Sequence, residues 1–339
     1  MNLGTAGSVL VFLGLGMSAV SLADPFACPL PDSGETAKDC PWAGAARTLI
    51  EAAKTGQPID VLFEKILPGV SKQIRTDATA TGMLGSWGRS LNFDEYAKAM
   101  IVNPALLTTI YQTAGIPRPI EPGYTEWTGV QHAGLEHTYG YLFSLLRTSF
   151  GYKRARWVQG EIETGFDLPP GVLSPLTADG SLLANITYFA GRIAFARDRT
   201  GAEDSRELAA IELERDHAAK AVVDFDYSKL KRTRVLETVK VSAEQGEPRE
   251  VRIRIDFVPF TSASTPTDPA VDSVLLVYSI VQPETGARLI TAFPVARNFV
   301  TGVVAGPLGA AVPIITRYNA FVRGLTGATL TGSRDVLSP

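Results

Sequence analysis

The sequence predicts an α+β protein in which a helical N-terminal half precedes a mainly antiparallel sheet of about four strands. Apolar residues recur at helical spacing within residues 42–115, whereas the hydrophobic period changes to two after residue 234. Two turn segments, Glu244–Glu247 and Pro283–Gly286, separate the alternating runs. A run of helices followed by a run of strands is typical of α+β folds.

Three runs in the first half favour helices. Ala45–Ala53 is rich in helix-forming residues, and Ile59–Leu67 has apolar residues at helical spacing. Asn92–Met100 begins with a good N-cap residue. Pro117–Pro122 ends this part of the chain, so we expect one region over 24–122 and a second over 123–339.

The second region begins with aromatic and apolar segments of mixed pattern. Tyr139–Leu146 is consistent with either a helix or a buried strand. Ser181–Phe195 is a long apolar run with Arg192 as its only charge. Glu203–Val223 keeps apolar residues three and four positions apart, and this spacing predicts a single long amphipathic helix.

Four alternating runs predict two β-hairpins: Val235–Ser242 with Arg249–Val258, and Asp272–Val281 with Arg288–Val295. Alternation within one run places Val251, Ile253, Ile255 and Phe257 on one face and Arg252, Arg254 and Asp256 on the other. We therefore expect a sheet with one covered face and one polar face.

Residues 1–23 have the features of a secretory signal peptide. The stretch carries no charged residue, its apolar centre spans Val9–Val20, and it ends in Ser21-Leu22-Ala23. It lacks the Lys or Arg that is usual before the apolar centre. The sequence thus predicts export and a secreted or periplasmic mature protein.

The chain has two cysteines, Cys28 and Cys40, just after this segment. In an oxidising compartment we expect them to pair, which would pin the Pro-rich N-terminal strap to the helical region. Closing so short a loop contributes roughly 3 kcal/mol in the chain-entropy treatment. A reactive thiol is the alternative interpretation.

Composition narrows the class of protein. The 339 residues include 45% apolar residues and carry a net charge of -3, which argues against a globally basic nucleic-acid binder but leaves local basic patches open. Phe299–Thr316 is uncharged, yet its glycines and prolines favour a buried, loop-like packing segment over a membrane span. We expect no stable membrane span in the mature chain.

Two of the three histidines lie close together, as His132 and His137 around Glu136. The spacing H-x-x-x-E-H matches neither zinc motif, H-E-x-x-H or H-x-x-E-H, so no metal site is predicted. The chain has no phosphate-binding glycine loop and no G-x-S-x-G motif. We therefore expect no cofactor.

A histidine beside a carboxylate is suited to general acid–base chemistry near neutral pH. The neighbouring cations and aromatic side chains could bind phosphates and stack on bases, and they are Arg147, Lys153, Arg154, Arg156, Tyr152 and Trp157. Alternatively, His137 is a histidine at the edge of the core and the cations form a solvated loop.

Gly134–Tyr139 resembles the motif around the first catalytic histidine of the EndoU-type endoribonucleases, and Leu289–Pro294 is similar to the closing strand of that family. Phe293 stands where the family has a tyrosine, and Tyr152 and Lys153 occupy the region of its second histidine. The resemblance implies metal-independent cleavage of RNA with the 2′-hydroxyl as nucleophile.

The resemblance also implies site residues. They are His137 as the first histidine, His132 or His217 as the second, Lys153 or Lys240 as the lysine, and Thr291 as a hydroxyl from the closing strand. We therefore expect an endoribonuclease-like enzyme whose partner is single-stranded RNA. The alternative is a non-catalytic envelope or secreted binding protein, with Tyr139–Trp157 as the surface that binds a partner protein.

Overall fold

The computed structural model describes residues 41–79, 83–94, 99–118, 130–146, 161–173, 181–196, 205–242, 249–260, 274–282, 286–295, 297–310 and 329–338. The predicted signal peptide and both cysteines lie outside the described residues. The architecture is α+β, with helices first and an antiparallel sheet in the C-terminal part, as the sequence predicts.

The first part is built from four helices, α1 Pro41–Lys54, α2 Ile59–Ile66, α3 Pro68–Thr79 and α4 Pro104–Thr113. Their apolar faces meet in one core. Trp42 and Phe63 each contact Phe143 edge to face, with ring centroids 5.6 and 5.7 Å apart. Asn103 caps α4 by accepting a hydrogen bond from Ala105 N at 2.9 Å, and Pro104 occupies the first helical position.

The helix predicted over Asn92–Met100 is wrong. The Asn92 side chain donates to Val102 O at 2.6 Å and accepts from Val102 N at 2.8 Å. Asp94 and Ala99 form an antiparallel bridge, so neither end of the predicted helix is helical; residues 95–98 lie outside the described residues. An asparagine side chain that can cap a helix can equally form hydrogen bonds with the backbone of another segment, as Asn92 does with Val102.

The central part starts with a small hairpin of β1 Arg89–Leu91 and β2 Val130–His132. The chain continues directly into α5 Ala133–Thr138 and a short 3₁₀ helix, Gly140–Phe143. The run Tyr139–Leu146 is thus neither an α-helix nor a strand, because its only helical part is the 3₁₀ turn. α6 Glu161–Gly165 follows.

Leu182–Phe195 forms α7, a helix that is buried on all sides except around Arg192. The single long helix predicted over Glu203–Val223 is wrong, because two short helices replace it: α8 Ser205–Glu212 and α9 Lys220–Val223. The Asn185 side chain accepts a hydrogen bond from Ala219 N at 2.7 Å, so this backbone group bonds to α7 rather than continuing a helix.

The sheet has five antiparallel strands in the order β6-β5-β4-β3-β7, and they are β3 Thr233–Ser242, β4 Arg249–Pro259, β5 Val274–Gln282, β6 Gly286–Val295 and β7 Thr329–Leu337. Both predicted hairpins are confirmed, with Val235 opposite Ile255 and Leu276 opposite Phe293. The fifth strand, β7, was not predicted.

One face of the sheet packs against α10, Arg297–Val304. Ile253, Ile255 and Phe257 are buried on this face, as predicted, and Phe257 meets Phe299 with ring centroids 6.4 Å apart. The segment predicted to be loop-like over Phe299–Thr316 is therefore helical at its start; residues 311–316 lie outside the described residues.

The opposite face is not the open polar face that the alternation predicts. Arg254 and Asp256 are buried under the C-terminal end of α7, and only Arg252 is exposed. Asp256 accepts from Arg234 at 2.8 and 3.3 Å, which explains how these charges are accommodated. The alternation of apolar and polar residues predicted the two faces of β4 correctly. It did not predict that α7 covers the polar face.

Within the described part of the chain, no helix is both long and apolar enough to cross a membrane.

Candidate functional site

The site that the sequence points to is built on α5. β2 leads into this helix, and His132 at the junction caps it by accepting a hydrogen bond from Leu135 N at 3.3 Å on Nδ1. The backbone N–H of His132 donates to the Tyr111 hydroxyl, which comes from α4. His132 is half-buried, and its side chain is engaged in the cap.

Glu136 and His137 form the titratable pair of the site. Glu136 is fully buried and accepts a hydrogen bond from the Ser90 hydroxyl on β1. His137 Nε2 lies 3.6 Å from Glu136 Oε2, too long for a hydrogen bond but close enough for electrostatic attraction. Glu136 therefore lies between Ser90 and His137, and the Ser90 hydroxyl contacts the carboxylate rather than the histidine. In a catalytic triad the histidine contacts the serine hydroxyl and removes its proton, so Ser90 is not activated as a nucleophile.

The His137 ring is held by stacking. It lies on the Tyr141 ring with centroids 4.6 Å apart and an angle of 25°. The side chain is 10% exposed, and both ring nitrogens are shielded from solvent. A substrate atom therefore reaches either nitrogen only after the surrounding side chains move.

Tyr111 remains protonated in this setting. Burial raises the pKa of its hydroxyl well above the usual value, and the negative charge of Glu136 raises it further, while Arg118 and Arg89 act in the opposite direction. The neutral Tyr111 hydroxyl can form hydrogen bonds near Glu136, but it cannot act as a base.

The two segments that resemble the endoribonucleases meet across Trp87 and Gly88. Ala133 N donates to Gly88 O at 3.0 Å, and Gly88 N donates to Leu289 O at 2.8 Å. A Cβ atom at Gly134 would lie 2.8 Å from Trp87 Cγ, so α5 packs directly on this indole ring. The structure thus brings residues 134–139 and the start of 289–294 to the same place.

Thr291 is not brought to the same side as His137. Leu289 and Ala292 belong to the core under the helices, whereas Ile290, Phe293 and Val295 belong to the core under α10. Because side chains alternate along a strand, Thr291 lies on the α10 face of β6. The strand itself separates its hydroxyl from α5.

None of the other predicted site residues is placed next to Glu136 by the described structure. Lys153, Arg154, Arg156, Tyr152 and Trp157 lie outside the described residues, as do Cys28 and Cys40. His217 is exposed in the turn after α8, and Lys240 is exposed on β3, so neither adjoins the buried Glu136.

Sequence reasoning missed Ser90 and Tyr111. Both contact the site from other elements, Ser90 across 46 residues and Tyr111 across 21 residues of the chain. Neither position has a local motif, so only the pairing of β1 with β2 and the packing of α4 reveal them. In the described ranges no group of three potential metal ligands is found.

Comparison with known proteins yields no match: no protein-family model, no curated protein and no solved structure matches the chain.

Proposed function

We propose that the protein is a metal-independent endoribonuclease-like enzyme in which His137 acts as general acid or base. The observation that carries the proposal is the contact between two distant segments, since Gly88 joins the helix of His137 to Leu289 by hydrogen bonds of 3.0 and 2.8 Å. These are the segments whose sequences resemble the two halves of an EndoU-type site.

Glu136 has the position of a residue that orients His137. Its carboxylate is fixed by Ser90, it is fully buried, and it lies 3.6 Å from His137 Nε2. Contacts of this kind are often long without substrate and shorten in the complex. With Nε2–H directed to Glu136, Nδ1 is the atom that accepts the proton of a 2′-hydroxyl.

The proposed reaction is an internal transfer. The 2′-oxygen loses its proton to His137, attacks the adjacent phosphorus, and the bond to the 5′-oxygen breaks. The leaving oxygen takes a proton from a second acid, for which His132, the residue that caps the same helix, is the candidate, and the product is a cyclic phosphate. Lys153, Arg154 and Arg156 would stabilise the charge that develops on phosphate, and Tyr152 and Trp157 would stack on bases.

The experiment uses single-stranded RNA in the presence of a chelator. Loss of one acid–base group typically lowers a rate by about 10²–10⁴-fold, so His137→Ala should abolish detectable cleavage. His217→Ala is the matched control because that histidine is exposed in a turn away from the site, and it should cleave as the wild type does. Uncut RNA with the wild-type protein, or equal activity of His137→Ala, rejects the proposal.

A second candidate is favoured by the shielding of both His137 nitrogens. In that case the protein is a non-catalytic envelope or secreted binding protein, and α5 serves to join the helical part to the sheet. A partner protein would then bind the aromatic and basic segment Tyr139–Trp157. The wild-type protein should leave RNA uncut, and Arg154→Ala with Arg156→Ala should abolish capture of the partner.

We also propose that the protein is exported and acts in the periplasm or outside the cell. The support is the uncharged segment Met1–Ala23 with its small-residue end and the two cysteines that follow it. Mass spectrometry of exported protein should show Asp24 as the first residue and a bond between Cys28 and Cys40. An intact Met1, or two free thiols without reductant, contradicts this.

A further inference from the structure

A buried carboxyl group without a partner lies in the turn between α8 and α9. Glu214 is fully buried, and neither of its carboxyl oxygens has a hydrogen-bond partner in the described structure. Burying an ionised carboxylate without compensating contacts is costly. This cost is relieved if the group is protonated or if the turn opens to water.

The turn holds the N-terminal end of α7. Ser181 N donates to His217 O at 3.2 Å, and Ala219 N donates to Asn185 Oδ1 at 2.7 Å. The Glu214 carbonyl accepts from His217 N at 3.0 Å and from Ala218 N at 2.9 Å. The backbone that carries the buried carboxyl group is therefore the backbone that clamps the helix.

The charged groups of the neighbouring elements either bind other residues or are exposed. Arg192 on α7 and Arg215 in the turn both pair with Glu212. Asp77 on α3 accepts hydrogen bonds from Tyr139, Ser181 and Leu183. Asp216 and His217 are exposed, and Lys220 pairs with Asp224.

We propose that residues 213–219 form a pH-sensitive latch on the N-terminal end of α7, closed while Glu214 is protonated and opened when Glu214 ionises. Opening places the carboxylate in water and breaks the hydrogen bonds to Ser181 and Asn185. The proposal does not rest on the proposed RNA cleavage, because none of residues 213–219 belongs to α5.

The sign of the effect follows from burial. Burial raises the pKa of Glu214 from 4.5 to about 7. The folded, closed turn thus holds the proton more tightly than the open turn does. The stabilisation is complete below about pH 4.5, decreases as the pH rises, and is lost above about pH 7.

Amide hydrogen exchange tests the latch. In the wild type, the protection of the amides of Ala219 and Ser181 should fall by up to about 10²-fold between about pH 5 and about pH 8, after correction for the intrinsic exchange rate. Amides of the central strand β4 should show no such change. Glu214→Gln should remove the pH dependence, whereas Asp216→Asn, an exposed carboxyl group in the same turn, should keep it.

Equal pH dependence in the wild type and in Glu214→Gln would overturn the proposal, and so would wild-type protection that does not change with pH. If Glu214→Gln fails to fold, a carbon-detected titration of the Glu214 carboxyl group in the wild type decides instead. Titration near pH 7 supports the latch, and titration near the ordinary value of 4.5 rejects it.

Discussion

The two ends of α7 are anchored by different groups, a carboxyl group at the start and arginine side chains at the end. At the N-terminal end, the Asp77 carboxyl group accepts from Leu183 N at 3.0 Å and from the hydroxyls of Tyr139 and Ser181. Ser181 itself accepts from Ala184 N at 3.0 Å. A carboxyl group and a hydroxyl thus satisfy N–H groups that every helix leaves unpaired at its start.

At the C-terminal end, arginines in β3, in β4 and in the residue before β3 bind the last carbonyls. Arg232 donates to Ile193 O and Ala196 O, while Arg234 and Arg254 donate to Ala194 O at 2.6 and 3.1 Å. Asp256 supplies the counter-charge to Arg234. Positive charge at this end is favourable because carbonyls accumulate there.

The difference between the ends lies in how each can adjust its charge. Burial is the largest influence on Asp77 and raises its pKa above 3.8, so the carboxyl group can take up a proton. An arginine side chain stays charged in proteins. A disturbance at the N-terminal end can therefore be relieved by protonation, whereas one at the C-terminal end leaves a buried charge.

Asp256→Asn should give the largest effect. Removing one member of a buried ion pair typically costs about 3–5 kcal/mol because the partner charge remains buried. Denaturant unfolding should show a loss of this size in the free energy of unfolding. Glu250→Gln is the matched control: Glu250 also faces an arginine, Arg252, but both are exposed, so the change should be about 0.5 kcal/mol or less. Similar losses in the two variants would contradict the comparison.

Asp77→Ala should rank second, with a loss of about 2–4 kcal/mol, since a backbone N–H and two hydroxyls lose their acceptor in the interior. Asp77→Asn should cost less because the amide oxygen still accepts. Since burial raises the pKa of Asp77, its stabilisation is complete below pH 3.8 and declines as the pH rises. The stability gap between the wild type and Asp77→Asn should thus narrow towards neutral pH. A gap that widens would show that the carboxylate form is the favoured one.

Tyr139→Phe removes one donor to Asp77 while keeping the ring, and a loss of about 1 kcal/mol is expected. Thermal unfolding measures it. Loss of the donor should also raise the pKa of Asp77 further, because this hydrogen bond lowers that pKa. A loss as large as that of Asp77→Ala would mean that the hydrogen bond from Tyr139 accounts for most of what Asp77 contributes.

The sequence predicted the parts of this fold that depend on local period. The β3–β4 and β5–β6 hairpins follow from alternation and short turns, and α2 follows from its apolar spacing. β7 escaped prediction because Gly332 interrupts a strand that is polar on its exposed face. The interruption of Glu203–Val223 escaped prediction because its cause, Asn185, lies on another helix.

In the candidate site, too, local features could be predicted from the sequence, whereas contacts between distant elements could not. The pair Glu136–His137 is adjacent in sequence and could be identified, as could the likeness of residues 289–294 to a closing strand. That Ser90 binds Glu136, and that Thr291 lies on the far face of its strand, depend on strand pairing and on the bulge between Tyr278 and Ser279. A bulge changes which residues of a strand share a face, and its position cannot be predicted from the local sequence pattern.

Arg252→Leu should give the smallest effect of these variants, and a second arginine in the same strand provides the contrast. Arg252 and Arg254 lie two residues apart on the same face of β4, but the Arg252 side chain is 47% exposed, whereas Arg254 is buried beneath α7. Exposed ion pairs contribute little, so Arg252→Leu should change the free energy of unfolding by about 0.5 kcal/mol or less. Arg254→Leu should cost roughly 1.5–3 kcal/mol, because the Ala194 carbonyl loses a charged donor. Equal effects in urea unfolding would mean that the arginines stabilise the sheet through charge alone. A difference of the expected size would show that Arg254 contributes through its hydrogen bond to the Ala194 carbonyl at the end of α7.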